Sequence, residues 1–103
     1  MKQLLALIAV GAFALPAAVA APDGAALYTE KTCVACHGPK GNKPLLPNYP
    51  KVAGQNAAYA EQQMKDIKSG VRTNGQSAAM AGVMHLVSDE EIKTLSVWLE
   101  KLK

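Results

Sequence analysis

Large apolar rings are scarce in this chain: one Phe, one Trp and three Tyr among 103 residues. Small domains bury a modest share of their surface and often need a staple, metal or cofactor to supplement the core. Cysteine is limited to two residues, Cys33 and Cys36. No alternating apolar–polar run of useful length occurs, so strands are not expected and the fold class reads as all-α. There is no apolar run of the ~20 residues a membrane-spanning helix needs. Strong charge of one sign is missing too. A net charge of +3 is too mild for a nucleic-acid binder, which concentrates basic charge far more. It leaves room for a local lysine patch that steers a partner. Internal repeats and low-complexity tails are also missing.

What is present begins with a leader. Lys2 precedes a nearly unbroken apolar run, "LLALIAVGAFAL", 12 residues from Leu4 to Leu15. Pro16 breaks it, and Ala18-Val19-Ala20 supplies the small-x-small pattern of a signal peptidase site. Residues 1–20 therefore read as a cleaved Sec-type secretory signal, cut after Ala20 or one residue later. Residues 21–103 remain as one small domain with a net charge of +2 and without Phe13. Export would place both cysteines in an oxidising compartment.

Three helical signals stand apart from Gly/Pro-rich connections. Asp23 is an N-cap candidate for a helix continuing "GAALYTEKT" toward the cysteines. Gly24 and Tyr28 share a face of it; the glycine marks either a close approach by another helix or an ordinary first-turn glycine. Residues 38–55, "GPKGNKPLLPNYPKVAGQ", contain four prolines and three glycines and can carry no helix or central strand. So long a structureless loop makes sense if it wraps something that is not protein. A second helix is predicted over Ala57–Ser69, with Ala60, Met64 and Ile67 on one face and Gly70 as its stop. Residues 71–87 read as loop, with a turn at Asn74-Gly75. The last helix opens on a capping box, Ser88 with Glu91, and a staple of Val87 against Ile92. Ile92, Leu95, Leu99 and Leu102 form its apolar stripe, flanked by Trp98.

The chemistry concentrates in "TCVACHG", residues 32–38. Covalent haem attachment explains every element of Cys33-x-x-Cys36-His37. Two thiols on one helical turn meet the two vinyl groups along one side of a porphyrin, and His37, four after Cys33, projects under the ring. Its imidazole becomes the proximal iron ligand, and its other nitrogen needs an acceptor, for which the Pro44 carbonyl is the candidate. The rivals explain less. A thioredoxin-like dithiol needs a βαβ context that this chain lacks. A structural zinc would require Cys33, Cys36, His37 and His85 together. A disulfide closing so tight a loop would constrain little of the chain.

For the sixth iron position, Met64 lies on a core stripe and suits packing. Met80 and Met84 lie far enough from His37 in sequence to reach the opposite face. The flexible "AAMAG" around Met80 suits a loop laid flat on a ring, so Met80 is the leading candidate. Met84 and His85 remain competitors; a bis-histidine pair would lower the potential.

The order "GAALY", "CVACHG", "GNKPLLPNYPKVAGQ", "QMKDIKSGVRTN", "MAGVMHLVSDEEI" and "LSVWLEKL" resembles a class I c-type cytochrome over nearly all of residues 21–103. It is most similar to one haem domain of the bacterial dihaem cytochromes c, which carry a comparable proline-rich run ending in AGQ. The resemblance implies a small class I cytochrome c fold: three main helices and a proline-rich loop around one covalent haem c with its iron. It implies Cys33 and Cys36 as thioether anchors and His37 and Met80 as axial ligands, the latter matching the family's Met-x-Gly segment. It implies a helix crossing at Gly24, Tyr28 and Trp98. With one haem motif in this sequence, no electron transfer between two internal haems is expected. The function expected is that of a periplasmic one-electron carrier, not an enzyme. Its expected partners are a cytochrome-reducing complex, a dehydrogenase or a terminal oxidase or reductase, with no stable membrane insertion after leader removal. Lys40, Lys43, Lys51, Lys65, Lys68 and Arg72 are candidates to surround the exposed ring edge. The alternative is a haem enzyme or ligand sensor with an open sixth position, for which His85 would be the polar distal group.

Overall fold

In the computed structural model, residues 23–103 are described, so the expected leader at residues 1–20 lies outside the described residues. The described residues form five helices and no strand: α1 Gly24–Glu30, α2 Cys33–His37, α3 Ala57–Ser69, α4 Ser77–Met84 and α5 Asp89–Glu100. The expected all-α class is what is found.

Both ends of the described chain are tied together by one crossing. Asp23 caps α1 by accepting the Ala26 N–H at 2.8 Å. A Cβ on Gly24 would collide with Trp98 Cβ and sit 2.5 Å from its Cγ. Gly24 is therefore a close-approach glycine, and α1 lies against α5 at a distance that no side chain permits. One turn on, the Tyr28 and Trp98 rings pack at 5.1 Å between centroids, tilted by 46°. That is within the range aromatic pairs favour.

The predicted start of α5 is realised in full. Ser88 and Glu91 exchange both capping-box hydrogen bonds, at 2.8 and 3.1 Å. Val87 and Ile92 are buried on either side of the cap. Helix α3 has the predicted bounds and ends on Gly70 in the left-handed region. Ala60, Met64 and Ile67 are its buried face. Its first turn receives a carboxylate from the far end of α5, Ala57 N–H to Glu100 Oε2 at 2.8 Å. A negative charge suits a helix N-terminus.

Two local expectations are corrected. The segment 71–87 is not all loop, because Ser77–Met84 forms α4. Its run of alanines favours helix, and Gly82, the residue that argues otherwise, faces open space, where a glycine costs only about 1 kcal/mol. The first helix, expected over residues 24–32, is also shorter. It stops at Glu30, and the chain turns through Thr32 at φ 65° before α2 begins. The three expected helices are thus joined by two more, α2 of five residues and α4 of eight.

The proline-rich segment 38–56 carries no helix. It folds back on itself through Leu45 N–H to the Cys36 carbonyl at 2.9 Å and Val52 N–H to the Gly41 carbonyl at 2.8 Å. Gly54 N–H then fastens its end to the Leu99 carbonyl of α5 at 2.8 Å.

Candidate functional site

Helix α2 packs on α1 while α4 packs on α3. Between them lies a cavity of about 450 Å³ whose wall is mostly apolar, within the size range of cofactor sites. Cys33, Cys36, His37 and Met80 all line it. The sequence placed them up to 47 residues apart; the tertiary fold brings them to one space.

Cys33 and Cys36 are not joined to each other. Burial pushes the Cys33 thiol up to about 11, so it is a poor candidate for a reactive thiolate. Among the described residues, no group of three or more His, Cys, Asp or Glu could hold a metal ion. The zinc and dithiol readings therefore find no support in the geometry.

His37 is buried, and its Nδ1–H donates to the Pro50 carbonyl at 2.8 Å. A carbonyl can only accept, so Nδ1 carries a proton, and in the neutral ring the lone pair is on Nε2, in a ring that lines the cavity. The acceptor is Pro50 and not the expected Pro44. Leu45 N–H points at Cys36, and across a trans peptide the Pro44 carbonyl must point the opposite way. No cis peptide occurs among the described residues.

The backbone just after His37 is held as firmly. Gly38 has φ +88°, and a Cβ there would strike the Lys43 carbonyl. The Tyr28 hydroxyl donates to the Gly38 carbonyl. Burial pushes the Tyr28 phenol up to about 12, so it stays a donor. The sequence offered one clue to this bond: a buried Tyr hydroxyl needs a partner.

Met80 is half-buried and packs against the core from α4. Met84, one turn later, also lines the cavity but is 2% exposed, deep in the core. Met64 lines it from α3. His85 is exposed and borders a separate shallow depression with Lys68 and Asp89. It has no place on the cavity wall.

Residues 21–103 match the family model described as Cytochrome c. The chain belongs to the cytochrome c family. It is 36% identical over 105 residues to cytochrome c-553 of Nitratidesulfovibrio vulgaris, covering 99% of this chain and 100% of that protein. It is 34% identical over 106 residues to a protein of Thiomonas intermedia named thiosulfate dehydrogenase electron acceptor, covering 100% of this chain and 45% of that one. The crystal structure of reduced recombinant cytochrome c4 from Pseudomonas stutzeri superposes with a TM-score of 0.68 at 34% identity, over 78% of this chain and 46% of that one. The chain spans between 34% and 40% of the length of the cytochromes c4 it matches. It resembles one haem domain of those dihaem proteins.

The family's cofactor is haem c, covalently attached and containing iron, and Cys33 and Cys36 fit its CxxCH motif. The cavity agrees with that cofactor on its own terms. It offers two thiols, an imidazole whose tautomer leaves Nε2 unprotonated, soft thioether sulfur and a largely apolar wall.

Proposed function

We propose that this chain is an exported one-electron carrier. Cys33 and Cys36 anchor the haem by thioether bonds, and His37 and Met80 are the axial ligands. The observation that carries this reading is the His37 Nδ1–H bond to Pro50 in the cavity that both cysteines and Met80 line. When bound, the haem supplies the ferrous/ferric couple, at a potential raised by a His/Met pair.

The chain's own residues do the rest. Pro50 orients the imidazole and increases its basicity. Tyr28 holds the Gly38 carbonyl and with it the backbone beside His37. Ile67, Leu95 and Leu99 exclude water from the cavity. Met80 offers a thioether from α4, and filling the sixth position keeps substrates off the iron. The exposed position of His85 removes it as the polar distal group that a haem enzyme or sensor would need.

The family match begins at residue 21, next to the cleavage site read after Ala20, which supports a leader at 1–20, a haem domain at 21–103 and a periplasmic location. No helix among the described residues is long and apolar enough to cross a membrane. The proposed donors are a dehydrogenase or a cytochrome-reducing complex, and the proposed acceptor is a terminal oxidase or reductase. The name of the Thiomonas relative favours a dehydrogenase.

An optical redox titration of the purified protein beside Met80→Ala tests the ligation. The native protein should show a ferric sulfur-to-iron charge-transfer band and ignore carbon monoxide. The variant should lose the band, bind carbon monoxide and have a lower potential. An unchanged spectrum and potential in Met80→Ala would remove Met80 from the iron.

A further inference from the structure

The cavity wall carries an unbalanced charge. Its only formally charged side chains are Lys51 and Arg72, and no Asp or Glu lines it. The ion pairs among the described residues involve Lys31, Lys65 and Lys68, so neither cavity cation is matched by a carboxylate. Arg72 is nonetheless held. Its backbone N–H donates to the Asp66 carbonyl at 3.0 Å. Its Nη1 donates to Gln63 Oε1 at 3.0 Å and its Nε to Asn74 Oδ1 at 3.3 Å. Both amides also line the cavity. A half-buried guanidinium gripped by neutral acceptors keeps its remaining donors and its whole charge for something else.

We infer that Arg72, positioned by Gln63 and Asn74, receives a carboxylate of the bound haem, with Lys51 as the second cation at the cavity wall. This rests on the haem reading above. Haem brings two propionate carboxylates into a space whose wall supplies two cations. A guanidinium binds a carboxylate through paired, charge-assisted hydrogen bonds. A positive charge near the ring favours the ferrous state over the ferric, so Arg72 also raises the potential.

The test compares wild type, Arg72→Gln and Arg72→Lys holoprotein by resonance Raman spectroscopy of the propionate-bending region and by redox titration. In Arg72→Gln the bending band should move to lower frequency. The equilibrium constant for reduction should fall about threefold, which is about 28 mV at 59 mV per decade for one electron. Arg72→Lys keeps the charge without the fork; it should restore most of the potential but not the bending frequency. Gln63→Met, which leaves the guanidinium in place but loosens it, should shift the band in the same direction by less. An unmoved band in Arg72→Gln, with or without a change in potential, overturns the proposal and leaves Arg72 as a strut between α3 and the turn before α4. A wild type lacking the charge-transfer band would instead overturn the His37/Met80 ligation, while the bending band would still report on Arg72.

Discussion

Gly24→Ala gives opposite signs for two views of the same glycine. As an ordinary first-turn residue, Gly24 should accept Ala with a gain of about 0.5–1 kcal/mol, because Ala loses less backbone freedom. At a helix crossing the added methyl enters the space of Trp98 Cβ and Cγ and comes within 3.2 Å of the Thr94 carbonyl. These are not the tips of flexible side chains, so α1 must move away from α5. Overpacking of this kind costs about 1–3 kcal/mol. Shifting α1 also loosens the Tyr28–Trp98 pair, which contributes about 0.5–1.5 kcal/mol beyond its buried area. After subtracting the propensity gain, and taking the middle of each range, the variant should be less stable by about 2 kcal/mol. At about 4–8 °C per kcal/mol for a domain of this size, the melting temperature should drop by at least several degrees. Guanidinium unfolding of the holoprotein, followed by far-UV circular dichroism and by the fluorescence of Trp98, the only Trp, measures it directly. A variant as stable as wild type, or more so, would refute the tight crossing.

Three further outcomes follow from the same geometry. Tyr28→Phe removes one of two donors to the Gly38 carbonyl, leaving the Gly41 N–H at 3.2 Å, and should destabilise the holoprotein by about 0.5–1.5 kcal/mol, read from the guanidinium midpoint; an unmoved midpoint would mean that the bond holds nothing. The Ser88 backbone N–H, with Lys31 nearby, holds the Glu91 carboxyl below the usual carboxylate range. The native state thus favours the charged form, and its stabilisation is present above the unfolded carboxylate pKa and lost as pH falls through the native one. Glu91→Gln should be less stable than wild type at neutral pH, with the gap closing in acid; a gap independent of pH would contradict the charge argument. Cys33→Ala combined with Cys36→Ala should leave little folded protein, because a domain this small has only ten buried apolar residues among those described; a compact, cooperatively melting apoprotein would show that the core suffices alone.

Near neighbours along the chain were legible from residue types alone. The capping box at Ser88 and Glu91, the face Ala60–Met64–Ile67, the stop at Gly70 and the CxxCH spacing each depend on groups three or four positions apart. Helical geometry alone decides which of these meet. Helix α4 escaped because Asn74-Gly75 and Gly82 suggested loop, and its stability comes from packing on α3. The acceptor for His37 lies thirteen residues away in a segment without periodicity. Its choice between Pro44 and Pro50 depended on which peptide plane the fold-back turned toward Cys36. Arg72 read as one of several surface cations; only the positions of Gln63 and Asn74 show it gripped at the cavity. Local spacing thus determined what could attach a haem and where helices begin. Tertiary structure decided which carbonyl orients the imidazole, which methionine stays near the cavity surface and which cation lines its wall. Those choices depend on contacts between distant segments, and no periodicity along the chain encodes them.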